Sequence, residues 1–422
     1  MQHDFDSLAF RPADILLPEG GYEKWSVVAC DQYTSQPEYW DRVDRLVGGA
    51  PSALRIILPE ARLGDDRRGQ AAAIDAVMRE YLQKGLFKTY PDSFVYVERR
   101  LTTGGVRRGL VGEFDLEAYD YRRGSGTLIR ATEGTVLERI PPRVEIRRGA
   151  PLEIPHVMML IDDPEDSVIG AAQRACAAGG KLYDFDLMEG GGHITGRRVS
   201  GAGLEKVAQA VAALESKDVF AGKYGAPDSP VLAYAVGDGN HSLAAAKSCW
   251  EEIKKDLTPE QAETHPARFA LAELVNIRDA ALDFEPVHRA VFGVEPQRLL
   301  TELKKYYPEA CENAAGPAAG YVYAGGEGRV AFGRVGLAVG LLQDFLDDYV
   351  SRFGGTIDYI HGDDVARSLG RREGAISFLL PAIGKSEFFA AIIRDGALPR
   401  KTFSMGRAQD KRFYLESRKI SR

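Results

Sequence analysis

Cysteine is scarce in this chain: four among 422 residues, Cys30, Cys176, Cys249 and Cys311, with no CxxC pair. That spacing argues against a disulfide scaffold and a thiolate zinc site, and leaves reduced, mostly buried thiols. Long apolar runs are missing as well, since none approaches the ~20 residues that span a bilayer. The first residues, Met1 to Asp6, lack the basic start and apolar stretch of a signal peptide. The expected compartment is the cytoplasm, with no membrane partner. Nor is there an excess of positive charge. The formal net charge is −7 and the Lys and Arg residues are spread along the sequence, which argues against a nucleic-acid binder that relies on a basic field. Small anions remain admissible in local positive pockets. Walker A, HExxH and GxSxG patterns are absent, so a P-loop, a tightly bound zinc and a nucleophile elbow are not expected. No 20–50-residue repeat and no low-complexity tract occurs.

What is present is the balance of a globular protein with a sizeable core: 45% hydrophobic and 27% charged residues. The length suits two or three domains. Breaks are expected near 118 and 293, giving an N-terminal α+β part with a hairpin (1–118), a core (119–293) and a C-terminal α+β part (294–422). The expected class is α+β, with mixed sheets and flanking helices.

Local patterns support this class. Ser26–Ala29 reads as a buried strand running straight into Cys30-Asp31-Gln32. A helix is predicted from about Gln70 to Gln83, closed by Gly85. Phe94–Arg99 and Arg108–Leu116 read as a hairpin. The stretch from Tyr119 to Pro155 is rich in arginine and has little helical periodicity, so it reads as a long loop, either solvated or functional. Val157–Ile161 is a buried strand, Leu204–Leu214 a helix, Val231–Val236 a continuous apolar strand, and Leu243–Asp256 a helix. Arg268–Ile277 reads as a further strand, and short helices and strands alternate from about Glu295 onward.

Three places offer chemistry. An apolar strand ending in Gly237-Asp238-Gly239-Asn240-His241-Ser242, followed by an Ala-rich helix, sets backbone N–H groups and the positive end of a helix dipole where a phosphate oxygen would sit. Ser242 is the expected N-cap. Asp238 suits a Mg²⁺ or a substrate hydroxyl, and His241 a phosphate contact or a proton shuttle. The plainer alternative, a tight turn with a capping serine and a surface histidine, stays open. Thr132-Glu133-Gly134-Thr135 places a carboxylate base among arginines that hold an anion; an ion-paired surface glutamate is the alternative. His156 and Asp162-Asp163 flank the 157–161 strand as candidate ligands, against a plain Asp-Asp-Pro turn.

The ordered set Ile129–Thr135, Arg139-Ile140-Pro141-Pro142-Arg143, Glu153-Ile154-Pro155-His156, Asp162-Asp163-Pro164, Gly237–Ala244, Phe284–Arg289 and Leu398–Phe403 resembles the bacterial and archaeal "domain of unknown function 1015" family over nearly the whole chain. Two motifs are similar, in the same order, to free-serine kinases of the ParB/sulfiredoxin-like fold. The resemblance implies a ParB/sulfiredoxin-like nucleotide-binding core with large insertions, ATP or ADP and Mg²⁺ as cofactors, and a small hydroxylated amino acid, serine or phosphoserine, as substrate. It assigns the base role to Glu133 and the phosphate and metal role to Asp238, Gly239, Asn240 and His241. The sequence departs from the pattern in three places. Thr132 stands where the pattern has His, Asn240 where it has the first His of its Asp-Gly-His-His-Arg turn, and Ser242 where it has Arg. Losing that Arg removes a bidentate phosphate contact, for which Arg130, Arg139 or Arg143 would substitute. The expected activity is a phosphotransferase; a non-catalytic nucleotide-binding regulator and a phosphoester hydrolase are the rivals, and a homodimer is left open.

Overall fold

The computed structural model describes residues 5–64, 66–134, 140–177 and 180–421. The chain divides into two compact units, Met1–Leu282 with Arg407–Arg422, and Asp283–Gly406. In sequence the second unit is an insertion into the first. The breaks expected at 118 and 293 give way to breaks at 282 and 406, because the main sheet of the first unit draws strands from both sides of residue 118.

That sheet is mixed, which makes the class α+β. Its main path runs Lys181–Asp186, His193–Val199, Phe87–Arg100, Val106–Asp115, Phe269–Asn276, Met158–Ile161, Tyr234–Asp238, Ile129–Ala131, Tyr119–Asp120. The hairpin appears as expected, with Val95 opposite Val111 and Arg100 opposite Val106. Among the described residues three pairs are parallel: 269–276 with 158–161, 234–238 with 129–131, and 129–131 with 119–120. Successive side chains of a strand point to opposite faces, and both faces here are buried. Phe94 and Tyr96 enter one core with Met159, Val236, Leu243 and Trp250. Val95 and Val97 enter the other with Val27, Trp40, Ile74, Leu271 and Phe413. A sheet covered on both sides explains why 231–236 and 157–161 read as continuous apolar runs rather than alternating ones.

The arginine-rich stretch departs from its expectation. Residues Ile140–Arg148 form a helix that buries Ile140 and Val144 against Ala244, Ala245 and Cys249 of the Asn240–Ile253 helix. Pro141 and Pro142 lie in its first turn, where no N–H is needed for the helical ladder, so they start the helix rather than forbid it.

The last segment of the first unit is threaded through its interior. Phe413–Tyr414 pairs with Val27–Val28, and Arg418–Lys419 with Leu152–Glu153. Its buried guanidiniums are matched by buried carboxylates. Arg412 pairs with Glu273 and Glu416, and Arg418 with Glu113 and Glu153, the last two at 2.6 and 2.8 Å. Removing one member of such a pair leaves an uncompensated buried charge, so this segment is held firmly.

The second unit is a six-stranded antiparallel sheet with helices Pro296–Tyr306, Ala338–Phe353, Asp363–Gly370 and Lys385–Asp395. The motifs 284–289 and 398–403 meet within it. Arg289 is fully buried and donates to the carbonyls of Lys401 and Arg400 at 3.1 and 3.0 Å, which is a structural use. Among the described residues, no helix is long and apolar enough to cross a membrane.

Candidate functional site

The turn after the Tyr234–Asp238 strand takes its shape from Gly239. Its φ is +82°, a left-handed conformation, and a Cβ there would meet Val157 at 3.0 Å, so glycine answers both a conformational and a steric demand. With the chain reversed at Gly239, the helix begins at Asn240 rather than near Leu243. Ser242 is therefore inside the first turn and is not the N-cap. The first intrahelical bond runs from Leu243 N to the Gly239 carbonyl at 3.0 Å. The N–H groups of Asn240, His241 and Ser242 precede it and present the positive end of a 14-residue helix.

The parallel pairing of Val236 with Ala131 brings the second candidate to the same place. Thr132 is fully buried, and its hydroxyl donates to the Val236 carbonyl at 2.6 Å. Its backbone N–H donates to Asn240 Oδ1 at 3.3 Å, and Asn240 Nδ2 donates to its hydroxyl at 3.2 Å. Thr132 and Asn240 are two of the three departures from the kinase-like pattern, and they are bonded to each other. Glu133 and His241 each lie one residue from this contact, that is, about 3.8 Å along the backbone. Glu133 is half-buried.

Around the turn stands a charged and polar ring. Asp238 Oδ1 accepts from Gly239 N at 2.9 Å, and its Oδ2 lies 3.3 Å from Lys411 Nζ. Asp31 Oδ2 lies 3.9 Å from His156 Nε2. Burial pushes the Asp31 carboxyl up, but His156, the Gln32 amide, Lys411 and Arg143 outweigh it and hold it below the usual carboxylate range. His156 Nδ1 shares a 2.7 Å hydrogen bond with the Tyr414 hydroxyl, and its Nε2 is 3.4 Å from Ser242 Oγ. Arg143 pairs with Glu60. Burial pushes the neighbouring Cys30 thiol up to about 12, so it stays protonated and no thiolate nucleophile arises here.

One expectation is corrected, and for Asp162-Asp163 the plain-turn alternative holds. Arg130 does not face the turn. Its Nε donates to the Thr127 carbonyl at 2.9 Å and its Nη2 to those of Pro230 and Val231 at 2.8 and 3.2 Å. In parallel register with Ala235, it serves the opening end of the strand, not its Asp238 end. Asp162 and Asp163 are structural too: Asp163 accepts from Val168 N at 2.9 Å and Ser167 Oγ at 3.0 Å, while Asp162 accepts from Arg278 Nε and the Tyr224 hydroxyl at 2.7 and 2.8 Å. Thr135 and Arg139 lie outside the described residues.

Sequence reasoning missed Asp31, Glu60, Lys411 and Tyr414. The 30–32 segment directly follows a buried strand, the position at which site residues gather in sheets. The C-terminal stretch carries a period of two, Arg412, Tyr414, Glu416 and Arg418, whose polar face is turned inward. Next to the ring lies an apolar cavity lined by Ile56, Ile57, Met78, Ile146, Leu152 and Ala245, which shares Arg143, His156, Ser242 and Tyr414 with the ring.

Magnesium takes oxygen ligands and is commonly held by one or two carboxylates together with substrate phosphates. Asp238 and Asp31, both beside Lys411, suit that arrangement. Among the described residues, no group of three or more His, Cys, Asp or Glu side chains could form a dedicated metal cage.

The model of the family described as "Protein of unknown function (DUF1015)" matches residues 11–366. This chain belongs to that family. Comparison with curated protein sequences gives no match. Among solved structures, similarity is found to C-terminally truncated SbnI from Staphylococcus aureus, at 9% identity and a TM-score of 0.37, covering 70% of this chain and 82% of that one. A free serine kinase variant in complex with ADP matches at 12% identity and a TM-score of 0.38, covering 73% and 91%. A conserved hypothetical protein from Pyrococcus furiosus matches at 11% and 0.37, covering 73% and 94%.

Proposed function

We propose that this protein is a phosphotransferase acting on a small hydroxylated amino acid, serine or phosphoserine, with ATP or ADP and Mg²⁺. The observation that carries the reading is the Thr132–Asn240 contact, which joins the segment bearing Glu133 to the helix start at Asn240. Phosphoryl transfer asks little of a protein beyond positioning and neutralisation of charge. In this reading the N–H groups of Asn240, His241 and Ser242 hold phosphate oxygens, with His241 donating from its ring. Glu133 accepts the proton of the acceptor hydroxyl as its oxygen bonds to the terminal phosphorus and the bond to the leaving nucleotide breaks. The apolar cavity receives the nucleobase, for which its aliphatic lining and few polar groups are suited. Bound magnesium supplies charge neutralisation on the phosphates, and Asp238 and Asp31 are the carboxylates that would hold it.

Purified protein is mixed with serine and ATP or ADP, or with phosphoserine and the corresponding lower nucleotide, with Mg²⁺ present. Phosphorus NMR then follows both directions. Phosphoserine formation is expected; no transfer in either direction sinks the reading. Nucleotide binding without transfer would favour a regulatory protein, and phosphate release to water without nucleotide would favour a hydrolase.

A further inference from the structure

We infer that His156 and Ser242 read a ribose hydroxyl of the nucleotide, so that this site takes a ribonucleotide in preference to its deoxy form. The assignment rests on the reading above, in which the apolar cavity receives the nucleobase. Both residues line that cavity, with Ile56, Ile57 and Met78, and both belong to the polar ring around the turn. A nucleotide with its base in the cavity and its phosphates at the turn has its sugar between the two, beside these side chains.

The His156 ring is set in advance. It is only 6% exposed and stands edge-on to the Tyr414 ring, with 5.4 Å between centroids. Its Nδ1 is 2.7 Å from the Tyr414 hydroxyl, which also accepts from Cys30 N at 3.4 Å. Burial pushes the Tyr414 phenol well above its ordinary range, so it keeps its proton. The acceptors beside it are the imidazole nitrogen and the Cys30 sulfur, and sulfur is a weak acceptor. The Tyr414 proton therefore goes to Nδ1, and the His156 ring carries its own proton on Nε2.

The Nε2–H points at a place that is loosely filled. Its contact with Ser242 Oγ is 3.4 Å, longer than an ordinary N–H···O bond. Among the described residues the Ser242 hydroxyl has no second hydrogen-bond partner. Asp31 Oδ2 already brings negative charge to within 3.9 Å of Nε2, so the place suits a neutral group better than another anion. A hydroxyl both donates and accepts, so it can take the Nε2–H and exchange a hydrogen bond with Ser242. A hydrogen atom in its place leaves a buried N–H without a good partner, which weakens binding of the deoxy ligand.

Isothermal titration of the full chain compares MgADP with its 2′-deoxy and 3′-deoxy analogues and with magnesium pyrophosphate, in wild type and His156→Phe. At least one deoxy analogue should bind the wild type about 10- to 50-fold more weakly than MgADP. In His156→Phe, MgADP should fall to the level of that analogue, while pyrophosphate binds as it does to the wild type. Nitrogen-15 NMR of the wild-type ring should show Nε2 protonated; a proton on Nδ1 alone overturns the assignment. Should His156→Phe fail to fold, Ser242→Ala takes its place, with the same narrowing of the gap expected. Equal binding of the three nucleotides by the wild type overturns the assignment, and so does a gap that persists undiminished in the variant. Weaker pyrophosphate binding in folded His156→Phe also overturns it, by placing a phosphate at His156. Transfer to serine without discrimination overturns the assignment and leaves the phosphotransferase reading standing. Discrimination lost in the variant, in a protein with no transfer activity, supports the assignment and overturns that reading. A wild type that binds none of the nucleotides overturns both.

Discussion

Thr132 and Asn240 are bonded to each other twice, backbone N–H to amide oxygen at 3.3 Å and amide nitrogen to hydroxyl at 3.2 Å, across 108 residues of sequence. The two side chains form one unit, and the Thr132 hydroxyl passes its own proton on to the Val236 carbonyl. Thr132→Val and Asn240→Ala should each cost about 1–2 kcal/mol in urea unfolding, and the double variant about 1 kcal/mol less than their sum. Simple additivity would mean that the contact is not energetically real.

Glu133 is the proposed base. Glu133→Gln keeps the size and hydrogen-bonding capacity of the side chain but cannot take a proton at neutral pH. Transfer should fall about 100- to 10,000-fold while the Kd for MgADP stays near the wild-type value. A variant that retains full turnover removes Glu133 from the chemistry.

Gly239 is constrained by its φ of +82° and by Val157. Gly239→Ala should lower stability by about 1–3 kcal/mol, read as a shift of the urea midpoint, and should weaken pyrophosphate binding because the helix start moves. Unchanged stability would contradict the close approach to Val157.

Arg130 separates the two uses of arginine in this region. Arg130→Met leaves three carbonyls without their donor, so stability should drop by about 2–4 kcal/mol, with the Kd for MgADP within about twofold of wild type where the protein is folded. A large loss of affinity in folded protein would return Arg130 to the phosphate site.

Glu215 gives the pH dependence. Its carboxyl accepts from the Tyr234 hydroxyl at 2.7 Å and from Ala9 N at 3.0 Å, and burial pushes it up to about 7. In the unfolded chain it titrates near about 4.3. Between these values the folded chain binds more protons, so this contribution is fully present below the lower value and is lost as pH rises through the upper one. Melting temperatures measured from pH 4 to pH 8 should show that decline in the wild type and a flatter profile in Glu215→Gln. Parallel profiles would remove Glu215 as its source.

What could be read from the sequence was local. The 231–236 apolar run, the glycine turn and the Ala-rich helix follow one another within about 25 residues, and each leaves its own pattern, so the strand–turn–helix was legible, apart from the helix starting at Asn240. The Ile140–Arg148 helix was not, because it buries only Ile140 and Val144 and opens with two prolines that suggest a break. Lys411 was invisible for another reason. It meets Asp238 from far along the chain, and a contact made by tertiary packing leaves no mark on the spacing near either residue. Arg130 misled because an arginine in an arginine-rich stretch looks the same whether its guanidinium meets a phosphate or three carbonyls.

The order in which the polypeptide is made gives the threaded C-terminal segment another meaning. A ribosome delivers Glu133, Asp238 and the helix start early, then more than a hundred residues of the other unit, and only afterwards Lys411 and Tyr414. Until those residues emerge, Asp238 lacks Lys411 and His156 lacks Tyr414. A prematurely ended chain would carry most of the main sheet, so errors late in translation would leave Asp238 and His156 without Lys411 and Tyr414.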